Sequence, residues 1–219
     1  MNAVVFTEDY DLNTALVLRE LFPKLDEFNG PPFVMPKLPA DAPREIPVMQ
    51  FRNLENSKHF SISKARTSYQ LTSNQEQLPL ETVLTNACDA LIAFKTAVSC
   101  RISRIGVVVV SSVEQPEPAM FLAKHFCKDT VLDSPLNRPE NFELHAHKRF
   151  MIGDFCVNSW AKTRALLDNV KPSVQFEQDI NTIHQEGVSA DFSEGQLKAF
   201  FKLLPNEIAT IKNRYFPAD

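Results

Sequence analysis

The spacing of apolar residues predicts a chain that alternates between strands and helices. In Lys58–Ser63, Phe60 and Ile62 alternate with polar neighbours, which is typical of a strand with one buried face. Val174–Ile183 shows the same alternation. Strands are predicted at Ala3–Phe6, Ile46–Arg52, Lys58–Ser63, Arg66–Thr72, Arg101–Ser112, Phe142–Met151, Phe155–Trp160 and Val174–Ile183. The RIGVVVV run in the Arg101–Ser112 strand is apolar throughout, so we expect that strand to be buried on both faces at the centre of a sheet.

Apolar residues at three- and four-residue intervals predict four helices. The clearest runs from Leu80 to Ser99, and a shorter one covers Pro118–Cys127. The first helix is expected to have Asp11 as its N-cap and to end before Pro23. Ser193 and Gln196 have the spacing of a capping box and should open the last helix, which Pro205 is expected to kink or divide.

This order of elements predicts an α+β fold with a largely antiparallel sheet and helices packed on one face. We expect a single compact domain over residues 1–219, and a division near Gln115 raises the hypothesis that 1–114 and 115–219 are related halves. Prolines concentrate in residues 23–47, which predicts an extended segment over the surface.

Composition excludes several classes of site. Of 219 residues only 5 are glycine, against 15 proline, and no two glycines are close in sequence. Dinucleotide and phosphate loops need clustered glycines, so neither is expected. The four cysteines form no CxxC pair, which argues against a zinc ribbon and favours buried, reduced thiols.

Charge and hydropathy predict a soluble, cytoplasmic protein. The net charge is −4 and the isoelectric point is near 5.8, unlike the basic footprint of a general nucleic-acid binder. The first residues lack the pattern of an export signal, and no apolar run is long enough to cross a membrane. We therefore expect no membrane association.

Several segments resemble a sporadically distributed, uncharacterised family of bacterial proteins. The similar segments are LFPKL, EIPVMQF, SKARTSYQL, ISRIGVVVV and FEQDINTI. The chain departs from that pattern at Val108 and Val109, where the family tends to have a polar or basic residue, and in a shorter region before its last strand. The resemblance implies a compact α+β protein without catalytic residues to transfer. The family's scattered distribution suits a role in mobile elements or defence.

The strongest candidate for chemistry is the pair His145 and His147. Residues two apart on a strand share a face, so their imidazoles can converge. A His-x-His pair can begin a metal site, with His125, Cys127 or Asp179 as further ligands. The simpler interpretation is that both histidines lie on the solvent face of a strand. Because no third ligand is fixed nearby in sequence, we predict neither a metal nor a cofactor.

Three weaker clusters complete the set. Asp179 and His184, with Glu177, have the residue types of a base and the carboxylate that orients it, although carboxylates are expected on the polar face of a strand. Asp9 and Asp11, with Glu8, are candidate cation ligands. A basic and aromatic surface is predicted from Lys58, Lys64, Arg66, Tyr69, Arg101 and Arg104.

Three functions follow from these patterns. Because common catalytic motifs are missing, the leading hypothesis is a non-catalytic module that binds a protein partner or itself. The second is a hydrolase or nuclease-like enzyme that uses His145, His147 and Asp179. The third is a nucleic-acid-binding protein.

Overall fold

A computed structural model describes residues 1–8, 10, 12–35, 38–39, 41–72, 78–128, 132, 137–167, 171–183 and 191–216. Within these ranges the α-helices are α1 Thr14–Leu21, α2 Leu80–Val98, α3 Pro118–Phe126 and α4 Glu194–Tyr215. The strands are β1 Asn2–Thr7, β2 Phe33–Val34, β3 Met49–Arg52, β4 Lys58–Ile62, β5 Arg66–Leu71, β6 Ile102–Glu114, β7 Glu143–Ile152, β8 Phe155–Leu166 and β9 Ser173–Thr182. These elements confirm the predicted α+β class.

The nine strands of the described residues form one antiparallel sheet in the order β2-β3-β4-β5-β1-β6-β9-β8-β7. Around the central β1–β6 pair the order repeats, because β1-β5-β4-β3 leads outward on one side and β6-β9-β8-β7 on the other. In chain order both sets read strand, helix, three strands, helix, apart from the extra strand β2. The second set begins with β6 at Ile102, whereas the division near Gln115 assigns that strand to the first half.

The helices pack on one face of the sheet, which we call the helix face. Its main core cluster joins α1, α2 and the first half of α4 to β1 and β3–β6, with residues such as Leu21, Leu91, Phe200 and Phe60 fully buried. A second cluster places Leu122 of α3 and Phe216 against Phe176 of β9. Side chains alternate along each strand, so the residues between these buried positions point to the opposite face.

Two sequence-based expectations, the N-cap of α1 and the burial of β6, are wrong, and of the two outcomes expected at Pro205, a kink or a division, the division does not occur. Helix α1 begins after Asn13, whose side-chain oxygen accepts a hydrogen bond from the Leu16 N–H, so Asn13 rather than Asp11 is the N-cap. Helix α4 is not divided, since it continues through Pro205 to Tyr215. Strand β6 is central as predicted but buried fully on one face only, and Val110 is 45% exposed.

Other local predictions are confirmed. Ser193 and Gln196 form a reciprocal capping box at the start of α4. Gly153 adopts a positive φ of 55° in the β7–β8 turn, a conformation that favours glycine. The extended course over the surface that is expected for residues 23–47 stays a prediction: among their described residues, regular structure is limited to a 3-10 turn at Phe22–Lys24 and the short strand β2, and Leu25 and Phe28 are buried in the main core cluster. No helix in the described part of the chain is long and apolar enough to cross a membrane.

Candidate functional site

The face of the sheet opposite the helices, here called the open face, carries the candidate residues. Strand register places side chains from every strand on it, including Arg52 of β3, Arg104 of β6 and Lys162 of β8. The apolar residues exposed there, Phe33, Val110, Met151 and Trp160, lie on four different strands. As far as the described residues show, the open face is therefore a polar surface with scattered apolar side chains and without a contiguous apolar patch.

An aromatic pair stands out on this face. His147 of β7 and Trp160 of β8 are register partners, and their rings stack with centroids 4.2 Å apart and planes 17° from parallel. A ring nitrogen of His147, Nε2, also contacts the Asn158 side-chain oxygen. These contacts hold the imidazole against the indole, which remains 46% exposed. The pair presents a flat ring to solvent.

The other predicted catalytic residues lie on the same face but have separate partners. His145 Nε2 is 3.2 Å from the Glu143 carboxylate, and the Asp179 carboxylate accepts a hydrogen bond from the Asn181 amide at 3.1 Å. Trp160 is the register partner of both His147 and Asp179, so the backbones of these two residues are separated by two strand spacings, about 10 Å. His184 lies outside the described residues.

The residues predicted to complete a metal site are far from the histidine pair. His125 is in α3 and Cys127 follows it, and α3 packs on the helix face. Both therefore lie on the other side of the sheet from His145 and His147. Within the described ranges, no group of three or more His, Cys, Asp or Glu side chains could hold a metal ion. Asp9 and Asp11, the other candidate ligands, are outside those ranges.

Three arginines on the open face are held by neutral groups. Arg52 Nη2 donates to the Gln50 side-chain oxygen at 2.7 Å. Arg164 donates twice to the oxygen of Gln175, from Nε at 2.9 Å and from Nη2 at 2.6 Å. The guanidinium of Arg104 lies over the Phe6 ring, 4.6 Å from its centroid. These contacts orient the guanidinium groups, and no described carboxylate forms an ion pair with any of the three.

Acidic residues are unevenly distributed on the open face. Strands β1, β3, β4 and β5 contain no Asp or Glu, and in that half only Glu45, from the loop before β3, is described beside the open face. The strand carboxylates on the open face come from the other half, at Glu114, Glu143, Glu177 and Asp179. Glu177 lies directly opposite Lys162 across the β8–β9 pair. The half built from β1 and β3–β5 is therefore the more positive one, although the whole chain is acidic.

A cavity of about 250 Å³ opens on that positive half. Its floor is made by hydroxyl and amide side chains, including Ser61, Ser68 and Asn2, with Arg66 beside them. Glu45 and Pro47 from the end of the proline-rich segment form one wall. The Asn2 side-chain oxygen is buried there without a hydrogen-bond partner among the described residues. The floor is thus rich in groups that can hydrogen-bond a polar ligand.

The predicted basic and aromatic surface is only partly present. Tyr69 is 1% exposed and belongs to the core on the helix face, so it cannot contact a ligand on the open face. Lys58 forms an ion pair with Glu27 at 2.6 Å, and Arg101 forms one with Glu8 at 3.1 Å. Arg66 and Arg104 do lie on the open face, as their register with Phe6 shows.

The cysteines are free thiols, and two of them fit the predicted buried type. Burial raises the pKa of Cys88 to about 12 and that of Cys100 to about 11. Since the thiolate is the nucleophile, both thiols are poorly reactive at neutral pH. Cys127 and Cys156 are half-buried instead.

Sequence reasoning missed Trp160, although the predicted strands Phe142–Met151 and Phe155–Trp160 contain the signal. A turn at Gly153-Asp154 pairs Ile152 with Phe155, and continuing that register outward brings His147 opposite Trp160. It also missed Arg52 and Arg164, whose neutral partners depend on their local side-chain geometry.

Comparisons with protein-family models, with curated proteins and with solved structures find no match for this chain.

Proposed function

We propose that this protein is a non-catalytic binding protein that holds single-stranded nucleic acid across the open face of its sheet. The observation that carries the proposal is the set of guanidinium groups of Arg52, Arg104 and Arg164, which are oriented by neutral partners and keep their charge. The phosphate groups of a nucleic acid provide the negative charge that would pair with these three guanidinium groups. Proteins that bind single strands combine such cations with exposed aromatic rings.

Trp160 supports a single strand rather than a duplex. Its indole is 46% exposed on the open face, with Lys162 next to it on the same strand and face. A flat ring in this position can stack on an unpaired base, whereas the bases of a duplex are stacked on one another. The proposal places phosphates on the arginines and a base on Trp160.

This proposal changes the order of the three hypotheses from sequence. From sequence alone, the leading hypothesis is a module that binds a protein partner or itself. A stable protein interface usually has an apolar core, whereas the exposed apolar residues of the open face are dispersed. Charge complementarity instead favours a polyanion. The hydrolase hypothesis requires His145, His147 and Asp179 to act on one substrate, while each is engaged with a different neighbour.

The test is fluorescence anisotropy of labelled single-stranded DNA, single-stranded RNA and duplex DNA at several salt concentrations. The probes should exceed about 16 nucleotides, the upper end of site sizes for such surfaces. We expect both single strands to bind more tightly than the duplex. Affinity should fall as salt rises, because counterions are released on binding.

Charge-removing variants identify the surface. Arg52→Gln and Arg164→Gln should each reduce the slope of log affinity against log salt by about 0.7, the value for one lost phosphate contact on a single strand. Lys202→Gln, on the exposed side of α4, is the matched control and should leave the slope unchanged. The proposal is wrong if single strands do not bind at low salt, or if the control variant has the same effect as the two arginine variants.

A further inference from the structure

A second cavity, of about 410 Å³, lies on the helix face between β7, β8 and the last turns of α4. Its volume is within the range of about 300–1,000 Å³ found for small-molecule sites. The main core cluster includes Val157 of β8, and the second cluster includes Ala161 of the same strand. The cavity lies beside this junction, with Ser159 and Ala161 in its floor.

Its walls combine apolar surface with more positive than negative charge. Ala146 and Phe150 of β7 face Ile211 of α4 across the cavity. The charged lining residues are Lys148, Arg214 and Glu207. Among the described residues, neither Lys148 nor Arg214 has an ion-pair partner, and the Lys148 ammonium lies 5.7 Å from the Phe150 ring centroid. An anionic group in the cavity would therefore find two cations.

The floor adds a hydrogen-bond donor. Gln178 is 1% exposed, and its side-chain amide nitrogen donates to Ser159 Oγ at 3.5 Å. Ser159 thus accepts a bond from Gln178 on the neighbouring strand β9, and its own hydroxyl can also act as a donor. Lys148 is the register partner of Ser159 on the same face of the sheet. Both residues line the cavity.

The buried side-chain amide of Gln178, beside Ser159, is incompletely hydrogen-bonded within the described residues. The Gln178 side-chain oxygen has no hydrogen-bond partner in the described part of the chain. A buried amide oxygen without a partner is costly, and native proteins rarely keep one without a reason. Here the partly unpaired amide of Gln178 lies against Ser159, which lines the cavity.

We infer that the cavity between β7, β8 and α4 binds a small organic anion with an apolar body, such as an aromatic carboxylate. Its carboxylate contacts Lys148, Arg214 and Ser159, and its apolar part contacts Ala146, Phe150 and Ile211. This site is on the face of the sheet opposite the surface proposed for nucleic acid, so either proposal can hold without the other.

The probes are 2-naphthoate and its uncharged counterpart 2-naphthamide, each titrated calorimetrically into the full-length protein. We expect naphthoate to bind at least about tenfold more tightly than naphthamide, as for a hydrogen bond to a charged group. Arg214→Gln and Ser159→Ala should each weaken naphthoate binding and leave naphthamide binding nearly unchanged. Lys202→Gln, also on α4 but outside the cavity, is the control.

A cavity-filling variant tests the location independently. Ala146→Leu adds volume to a half-buried wall position and should abolish binding of both probes, with an unchanged melting temperature showing that the fold is retained. The inference is overturned by equal binding of acid and amide, by binding that survives Ala146→Leu in the folded variant, or by no naphthoate binding at millimolar concentration.

Discussion

The imidazole of His147 lies flat against the indole of Trp160, with 4.2 Å between the ring centroids. The stack covers one face of the indole and, with the Asn158 contact, restricts the side-chain motion of His147. A ligand base that stacks on the free part of the indole therefore meets a surface that is already ordered. Preordering of this kind reduces the entropy lost on binding.

Trp160→Ala should weaken binding of single-stranded nucleic acid by roughly 5- to 100-fold, since one base–aromatic stack contributes about 1–3 kcal/mol. Trp160→Phe keeps a ring and should retain most of the affinity. Trp160 is the only tryptophan, so quenching of the intrinsic fluorescence reports contact directly in the unmodified protein. Equal affinities for the alanine variant and the unmodified protein would show that Trp160 does not contribute to nucleic-acid binding.

Glu177→Gln should increase the affinity for single strands. Glu177 opposes Lys162 on the open face and repels phosphate. Two unit charges 4 Å apart in water interact by about 1 kcal/mol, which corresponds to roughly a fivefold change in affinity. Anisotropy at low salt measures the gain, and it should shrink as salt screens the charge. Glu207→Gln, on the helix face, is the matched control; a gain of similar size there would mean that only net charge matters.

Asp191→Asn should destabilise the protein near pH 7 and have no effect near pH 2. Partial burial alone would raise the pKa of the Asp191 carboxyl. The carboxylate, however, accepts hydrogen bonds from Lys95 Nζ and the Ile102 N–H, and it lies near the positive charges of Lys95 and Arg101. Together these interactions hold its pKa below the ordinary value. The charged carboxylate is therefore favoured in the folded state. Its contribution is complete above the unfolded-state pKa and is lost as the pH falls through the folded-state pKa.

Urea denaturation of the unmodified protein and of Asp191→Asn at both pH values measures this difference. Asp89→Asn, exposed on α2, is the control and should change stability little at either pH. If Asp191→Asn were equally destabilising at both pH values, its effect would come from lost packing and not from the ionised carboxylate.

Gly30→Ala should lower the free energy of unfolding by about 1–3 kcal/mol, the usual cost of added volume in a packed position. The Gly30 N–H donates to the Arg52 carbonyl at 2.9 Å, and a Cβ on Gly30 would lie only 2.7 Å from that same oxygen. Gly195→Ala is the matched control, because its Cβ would meet nothing closer than 3.9 Å. We expect that control to be neutral or stabilising, as alanine favours a helix over glycine.

The sequence predicted most elements of the fold because their signals are local. The capping box at Ser193 and the alternation in β9 depend on residues a few positions apart, and both are present as expected. The exposure of Val110 could not be predicted, because a run of valines hides the alternation that would have distinguished the two faces of β6. Which face a valine occupies depends on where the helices pack, and that is decided by the whole chain.

The candidate surface was harder to predict, since it is assembled from strands distant in sequence. Arg52 and Arg164 are six strands apart in the sheet and 112 positions apart in the chain. Their common surface follows from the strand order, which no local pattern encodes. Tyr69 shows the converse: it is only three positions from Arg66 in the same strand, and this odd separation directs its side chain to the opposite face.

The position of β7 at the end of the strand order has a consequence for solubility. In the described part of the chain no further strand pairs with this ten-residue strand, so its outer backbone groups could template the addition of another copy. Charged and imidazole side chains line β7 on both faces, at Glu143, His145, His147, Lys148 and Arg149. Such residues oppose edge-to-edge aggregation. The histidine-rich motif therefore has a protective role in keeping copies of the chain apart, whatever the open face binds.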